Sequence, residues 1–408
     1  MLQRKFAIDP GKMDEEKRGI TLNIPQEVKI TFSASPQKQQ EKSPADGSQT
    51  DTSLSSSASL HTATGTTNQP TFNQHPTINE MTTVPPPPPS SPLSFPPATF
   101  QKLAPKTFLE RHLQSTPATR PSGRSSDAFR KPSLHTNSLS HAHGSAVIRT
   151  GDTAVVCGVR GEVLSLTAGS GGRIVVLRSG EDGRRKDEEG EGDEVRERGL
   201  VVTNLEMGTG CSRDYHPGPP TDFAQAVTAR LHRLLLANKL IPLRPLRILD
   251  PNTEEVKAYW VLYIDVVVIS LDGNVLDAAW ASILAALHST KLPQAYWDQD
   301  TEGVICYPEV SRYKPLEVRG LAFTASFAVI DLGAEKGGKV ILSDPDEFEE
   351  GVCEERIMVC ALEGEKVGWI EKGGGIGQVA EVIECVHRAT ERFRVWEQLF
   401  AEVLGSRG

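Results

Sequence analysis

Trp260-Val-Leu-Tyr-Ile-Asp265-Val-Val-Val-Ile269-Ser-Leu-Asp272-Gly273-Asn274-Val-Leu276-Asp277-Ala-Ala-Trp280-Ala-Ser-Ile283-Leu-Ala-Ala-Leu287 decides the fold. From Trp260 to Ile269 the residues are large or β-branched, which suits a strand buried on both faces better than a helix. Asp272-Gly273-Asn274 turns the chain, because Gly and Asn tolerate positive φ. Asn274 is placed to cap the helix that follows, and Asp277 lies favourably in its first turn. Leu276, Trp280, Ile283 and Leu287 share one helical stripe. Alanines fill much of the remainder, so this helix is expected to pack closely on most sides. Asp265 stands out: a carboxylate in such a run must be paired, hydrogen-bonded or at a functional edge.

Outward from this unit, composition sets the bounds. The hydrophobic share of the 408 residues is 38%, low for a chain folded end to end. The net charge is −9; residues 1–99 hold 8 basic and 9 acidic groups, so the remainder carries −8. That balance argues against a generally basic nucleic-acid coat. The 6 cysteines are scattered without a C-x-x-C pair, which disfavours zinc knuckles and a disulfide framework and fits reduced thiols. No signal peptide and no membrane-length apolar run is visible.

Residues 1–91 read as a disordered Ser/Thr/Pro-rich N-terminal extension with a polyproline run at Pro85–Pro89. Alternation at Ile20–Ile24 and Val28–Phe32 allows a stray hairpin there. A folded domain is expected over 92–408, opening with a short amphipathic helix or docking arm around Phe100–Leu113. A charged, disordered insertion is expected at about 168–199; within 181–198, 14 residues are charged, 9 of them acidic. His141 and His143 alternate as paired metal ligands would, but no third ligand is evident. Strand, turn and strand follow over Gly144–Val159, then a strand at Leu200–Asn204 and a helix carrying Phe223, Val227, Leu231, Leu234 and Leu235. Beyond the central unit come strands at Val304–Tyr307, Ala322–Leu332 and Lys339–Leu342, and a hairpin over Arg356–Glu371. A long last helix has the stripe Val379, Val382, Ile383, Val386, Phe393, Trp396, Phe400 and Val403. The order predicts an α+β domain with helices packed on mixed sheet.

Several motifs, in order, carry a resemblance. They are Arg120-Pro-Ser-Gly-Arg124, Phe129-Arg130, Gly144-Ser-Ala-Val-Ile-Arg149-Thr-Gly151 running on to Gly158-Val159, and Val261-Leu-Tyr-Ile-Asp265. Leu271-Asp-Gly-Asn274, Lys291-Leu-Pro293 and Ala325-Ser-Phe-Ala-Val329 complete the series. Together they resemble the RNase PH family, in its eukaryotic RNA-exosome branch. Ser122 departs from the Asp usual in the family. The resemblance implies the RNase PH-like fold, built on the ribosomal-protein-S5 domain 2 pattern. It also implies a hetero-oligomeric ring of RNase PH-like subunits, capped by RNA-binding subunits and threaded by RNA, in nucleus, nucleolus and cytoplasm. Active members degrade RNA from its 3′ end by phosphorolysis.

That chemistry brings two anionic groups together. It needs backbone donors at a helix N-terminus, fixed arginines, and carboxylates as acid or metal ligands. Here Gly218-Pro219-Pro220-Thr221-Asp222 loses two donors to proline and adds a negative charge. Asp272-Gly273-Asn274-Val275-Leu276 lacks the Thr-Arg of active relatives. Asp265 and Asp272 therefore read as remnant or structural carboxylates, and the expected function is a non-catalytic exosome ring subunit supporting 3′-to-5′ RNA processing, with no cofactor and no resident metal. Arg149, Arg160, Arg312, Lys314 and Arg319 are the basic residues expected to meet RNA if any face the channel. Strand edges around 200–206 and 258–269 are candidates for joining sheets across a subunit interface. The alternatives are an active phosphorolytic exoribonuclease using Asp265 and Asp272, or a stand-alone RNA-binding module.

Overall fold

The computed structural model describes residues 30–33, 95–166, 194–213, 215–333, 338–375 and 378–405. Residues 36–100 form a unit of their own, of which 95–100 are described; they begin helix α1 (Pro97–Leu103). The other unit, 1–35 with 101–408, holds everything that follows. Helix α2 (Pro105–Leu113) starts with Pro at a position where the missing N–H costs nothing, and it buries Leu109 and Leu113.

The first sheet contains β2 (Pro132–Thr136), β3 (Gly144–Thr150), β4 (Thr153–Ser165), β5 (Val201–Met207), β6 (Arg247–Leu249) and β7 (Val256–Ser270). Its order is β2-β3-β4-β7-β5, with β6 also on β7; all pairs are antiparallel except β5–β7. The second sheet has the order β1-β15-β14-β12-β13, from β1 (Ile30–Ser33), β12 (Ala322–Asp331), β13 (Lys339–Ser343), β14 (Glu355–Leu362) and β15 (Lys366–Gly373). Two small ribbons lie between them in sequence, β8 (Lys291–Pro293) with β11 (Tyr313–Pro315) and β9 (Ala295–Asp298) with β10 (Gly303–Cys306).

Helices α3 (Asp222–Ala237) and α4 (Val275–Ser289) cover one face of the first sheet, and α4 also meets β12 of the second. From Val275 to Leu287 every residue of α4 except Leu276 is buried, as the alanine-rich sequence requires. Close approach is visible at Gly144 of β3, where a Cβ would stand 2.5 Å from the Ala286 carbonyl oxygen. Trp280 is fully buried, and its indole Nε1 donates to the Ala322 carbonyl at 2.8 Å. The helix is thus tied to both sheets by packing and to the second by a hydrogen bond. The last helix, α6 (Val379–Gly405), lies against β12 and β14 and stacks Trp396 on Phe323 at 5.6 Å. A shorter helix, α5 (Glu347–Val352), begins with a full capping box of Asp346 and Glu349.

The α+β architecture of helices packed on mixed sheet is the one expected, with four differences in detail. First, β7 is buried on both faces only over residues 258–262, where Arg198 covers Tyr259 at 4.9 Å. Beyond it, Ile264, Val266 and Val268 face the helices, while Asp265, Val267 and Ile269 are exposed. Second, β7 has β4 on one side and β5 and β6 on the other, so 258–269 offers no free edge. Third, Val379 and Ile383 of the α6 stripe are exposed, and burial begins at Cys385. Fourth, residues 194–199 belong to the fold, with Val195 buried and Arg198 donating to Glu194 at 2.8 Å. The rest of the expected insertion lies outside the described residues. So does the expected extension 1–91, except 30–33, which pair in parallel with β15. Among the described residues no helix is long and apolar enough to cross a membrane.

Candidate functional site: a cleft at the head of the central helix

The strand β7 ends where Asp272-Gly273-Asn274 reverses into α4. Thr153 fixes this turn: its Oγ1 accepts from the Asp272 N–H at 3.0 Å and donates to the Gly273 carbonyl at 2.8 Å. Gly273 has φ +70°, and a Cβ there would come within 2.4 Å of the Asp346 carbonyl carbon. Asn274 sits at the cap position in the left-handed region, φ 50°, but its side chain does not cap. Its Nδ2 donates instead to Asp277 Oδ2 at 2.8 Å and to Asp344 Oδ1 at 2.6 Å. The backbone N–H of Asn274, at the positive end of α4, donates to Glu350 Oε1 at 3.0 Å.

The motif arginines close on the same carboxylates. Arg130 grips Asp344 with both edges, Nε to Oδ2 at 2.9 Å and Nη2 to Oδ1 at 2.8 Å. Its Nη1 donates to the Asp272 carbonyl at 2.6 Å and to the Asp272 carboxylate at 3.2 Å. Arg120 is buried 3.4 Å from Glu349. Arg124 lies 3.6 Å from Asp344 and 3.7 Å from Asp346. Such fork-shaped pairing is what guanidinium does best, with phosphate or carboxylate alike. Here the anion is the chain's own.

The titration of these groups follows from their partners. Burial opposes ionisation of Asp344, but the hydrogen bonds and charge of Arg130 outweigh it and hold the carboxyl below the usual range. Burial wins at Asp277, which is pushed up although Asn274 and Ser326 donate to it. Desolvation also raises Glu350, Glu349 and Asp272, against the pull of Asn274 N–H, Arg120 and Arg130 respectively.

Beside this network opens a cavity of about 380 Å³ between α3, the head of α4, β14 and the end of β15. Its apolar wall includes Val227, Leu276 and Met358. Its charged residues are Arg230 and Arg356 against Glu350, Glu354 and Glu371, two cations against three anions. Arg230 is spent on Glu371 at 2.8 Å, and Arg356 donates to the Glu350 carbonyl at 2.7 Å. At the start of α3, Thr221 Oγ1 accepts from the Ala224 N–H at 3.2 Å, and Asp222 occupies the first turn. The N-termini of α3 and α4 are therefore both served by residues of the chain.

The two carboxylates singled out in the sequence are not brought together. Asp272 stands at this cleft's turn, bound to Arg130. Asp265 lies on β7, opposite Gly158 and Asn204, and its carboxylate makes no hydrogen bond or ion pair among the described residues. Extended strand from Asp265 to Ser270 alone spans about 16 Å. Of the basic candidates, Arg149 pairs with Asp152 and Arg160 with Glu162, both at 3.2 Å. Arg312 stacks 4.1 Å above Tyr307 beside Glu309. Lys314 is exposed on β11, and Arg319 is half-buried. His143 is structural: its Nδ1 accepts from the Gly161 N–H at 2.9 Å, and burial lowers its pKa. Among the described residues no group of His, Cys, Asp and Glu is arranged to hold a metal.

Sequence reasoning missed Asp344, Glu349 and Glu350. A signal was available, since Asp344-Pro-Asp-Glu-Phe-Glu-Glu350 is dense in acid, follows a strand pattern and contains a capping box.

Residues 128–293 match the family model described as RNase PH, "3' exoribonuclease family, domain 1". The chain is 33% identical over 302 residues to the exosome complex component rrp43 of Schizosaccharomyces pombe, covering 74% of this chain and 97% of the relative. It is 27% identical over 285 residues to the exosome complex component Rrp42 of Thermococcus gammatolerans, covering 70% and 90%. Among solved structures, the Archaeoglobus fulgidus exosome with RNA bound to the active site aligns at a TM-score of 0.54 and 23% identity over 72% of this chain and 97% of that one. An archaeal exosome core aligns at 0.51 and 20%, over 75% and 99%. The structural likenesses show the fold.

Proposed function

The chain belongs to the RNase PH family, and from that premise we propose that it is a non-catalytic subunit of an RNA exosome ring. In this role it supports 3′-to-5′ RNA processing and decay, including ribosomal RNA maturation, by assembling with other RNase PH-like subunits and with RNA-binding caps. Its relatives named as exosome components support the assembly. The loss of chemistry rests on one observation: the arginine fork and the helix-head N–H of this cleft are taken by the chain's own carboxylates. Glu350 takes the N–H at the head of α4, Asp344 takes the fork of Arg130, and the cleft's three glutamates outnumber its two arginines. A phosphate dianion entering there meets repulsion rather than fixed donors.

The rival phosphorolytic reading uses Asp265 and Asp272, and their separation along β7 disfavours it. The net charge of −9 disfavours a free-standing RNA-binding module. Arg312, exposed and presenting a guanidinium plane, and its neighbour Lys314 are the side chains best suited to touch RNA. A role in ribosomal RNA maturation places the protein in nucleus and nucleolus as well as cytoplasm, which imaging of a tagged copy checks.

The test is phosphorolysis itself. The purified chain is incubated with single-stranded RNA and inorganic phosphate, and nucleoside diphosphates are counted. Release no faster than buffer is expected; robust phosphate-dependent release refutes the non-catalytic assignment.

A further inference from the structure

On the first sheet, α3 and α4 cover one face only. The other face carries side chains that water does not favour. Val147, Val156 and Val267 lie in register across β3, β4 and β7, and Tyr263 is opposite Val202 of β5. Val202 is 39% exposed, Val267 38% and Ile269 56%. An antiparallel sheet face left to solvent is normally polar, and a contiguous apolar one marks an interaction. A groove of about 400 Å³ runs between this face and Leu139 of the preceding loop, with Asp265 on its wall. The face runs on to β5, whose outer edge has no strand partner among the described residues. Val201-Val-Thr-Asn-Leu-Glu-Met207 has no Pro and no Lys, the usual guards of an open edge.

We infer that this face and the β5 edge form a subunit interface, occupied by a neighbouring chain of RNase PH-like fold that brings an arginine or lysine to Asp265. The inference rests on the ring reading above and goes further by assigning the surface and the partner's chemistry. Asp265 carries the charge argument. It is exposed at the border of the valine stripe, between Gly158 and Asn204, and among the described residues its carboxylate makes no hydrogen bond or ion pair. Covered by a purely apolar partner it would be a buried, uncompensated charge. A second copy of this chain centred on the same spot would set Asp265 against Asp265, so the partner is a different chain. RNA fits poorly, because most side chains of this face are aliphatic, the Tyr263 ring is faced by Arg160, itself paired with Glu162, and the Asp265 carboxylate repels phosphate.

The experiment reconstitutes the ring from the full chain and its RNase PH-like neighbours and reads composition by native mass spectrometry. Asp265→Lys and Ile269→Asp alter exposed positions, so both variants should melt as wild type in isolation. Each is expected to enter the ring at least 10-fold less well, with one particular neighbour lost. Val310→Asp, at an apolar residue 76% exposed on another element, should assemble normally. Hydroxyl-radical labelling of Val267 and Ile269 should be strong in the isolated chain and fall on assembly. Normal assembly of both variants beside the wild type overturns the interface alone. So do labelling already weak in the isolated chain, which would mean that the chain covers its own face, and cross-linking of RNA to this face in the ring. Failure of the wild type to enter any ring overturns the ring reading and the interface with it.

Discussion

Arg130→Met puts the carboxylate network to the test. In the wild type, Arg130 gives two hydrogen bonds to Asp344 and two to Asp272, and its side chain is 9% exposed against 1% for that of Asp344. Methionine fills similar volume but leaves Asp344 with the Asn274 amide and the residue-130 backbone N–H as neutral donors, and with Arg124, 3.6 Å away and outside hydrogen-bond distance of the carboxylate, as its remaining cation. Removing one partner of a buried pair costs about 3–5 kcal/mol, because the surviving charge stays buried. For a domain of this size that corresponds to a fall in melting temperature of roughly 5–9 °C. The sign with pH can be stated. Asp344 has a depressed folded-state pKa, so its contribution is present above the unfolded value of about 3.9 and is lost as pH falls through the folded value. The Arg130→Met penalty should therefore be full at pH 7 and shrink below about pH 4. Adding Asp344→Asn removes the stranded charge, so the double variant should be more stable than Arg130→Met alone. Melting by circular dichroism at pH 7 and at about pH 3 reads all of this. A single variant within about 1 kcal/mol of wild type, or a double variant no better than the single, refutes the reasoning.

Two further changes probe the turn and the helix it starts. Gly273→Ala must place a Cβ against the Asp346 backbone at positive φ, so a loss of about 2 kcal/mol or more is expected, and an unchanged melting curve would contradict the geometry. Trp280→Phe removes the indole donor and leaves the Ala322 carbonyl unpaired in the core, which should cost about 1–3 kcal/mol in denaturant unfolding; a neutral result would mean that water replaces the indole.

The sequence made the scaffold legible where periodicity and turn chemistry agreed. The Val-Ile run followed by Asp-Gly-Asn and an alanine-rich helix identifies β7 and α4, and both form as expected. The site was half legible. Asp272 and the arginines of the Arg120–Arg124 and Phe129–Arg130 motifs meet at one turn, but their partners come from Asp344–Glu350, more than 200 residues beyond Arg130 in the chain. No local pattern announces a pairing made by two sheets closing on one helix. Asn274 shows the same limit: its place at the head of α4 is local information, whereas the choice of Asp344 over its own helix as partner is tertiary.

Asp265 was misplaced for a different reason. An outward-facing valine and an inward-facing one look alike in sequence, so a strand with Val267 and Ile269 on its open side reads as buried on both faces. Hydrophobic periodicity reports where side chains finally lie, whether another part of the chain or another subunit covers them. If a ring neighbour covers the outer face of the first sheet, the both-faces reading of β7 describes the assembled state and the half-exposed strand describes the chain alone. The two readings then differ by one partner surface. The lone carboxylate in the run, satisfied by water in the isolated chain, becomes the residue that selects which basic partner is admitted there.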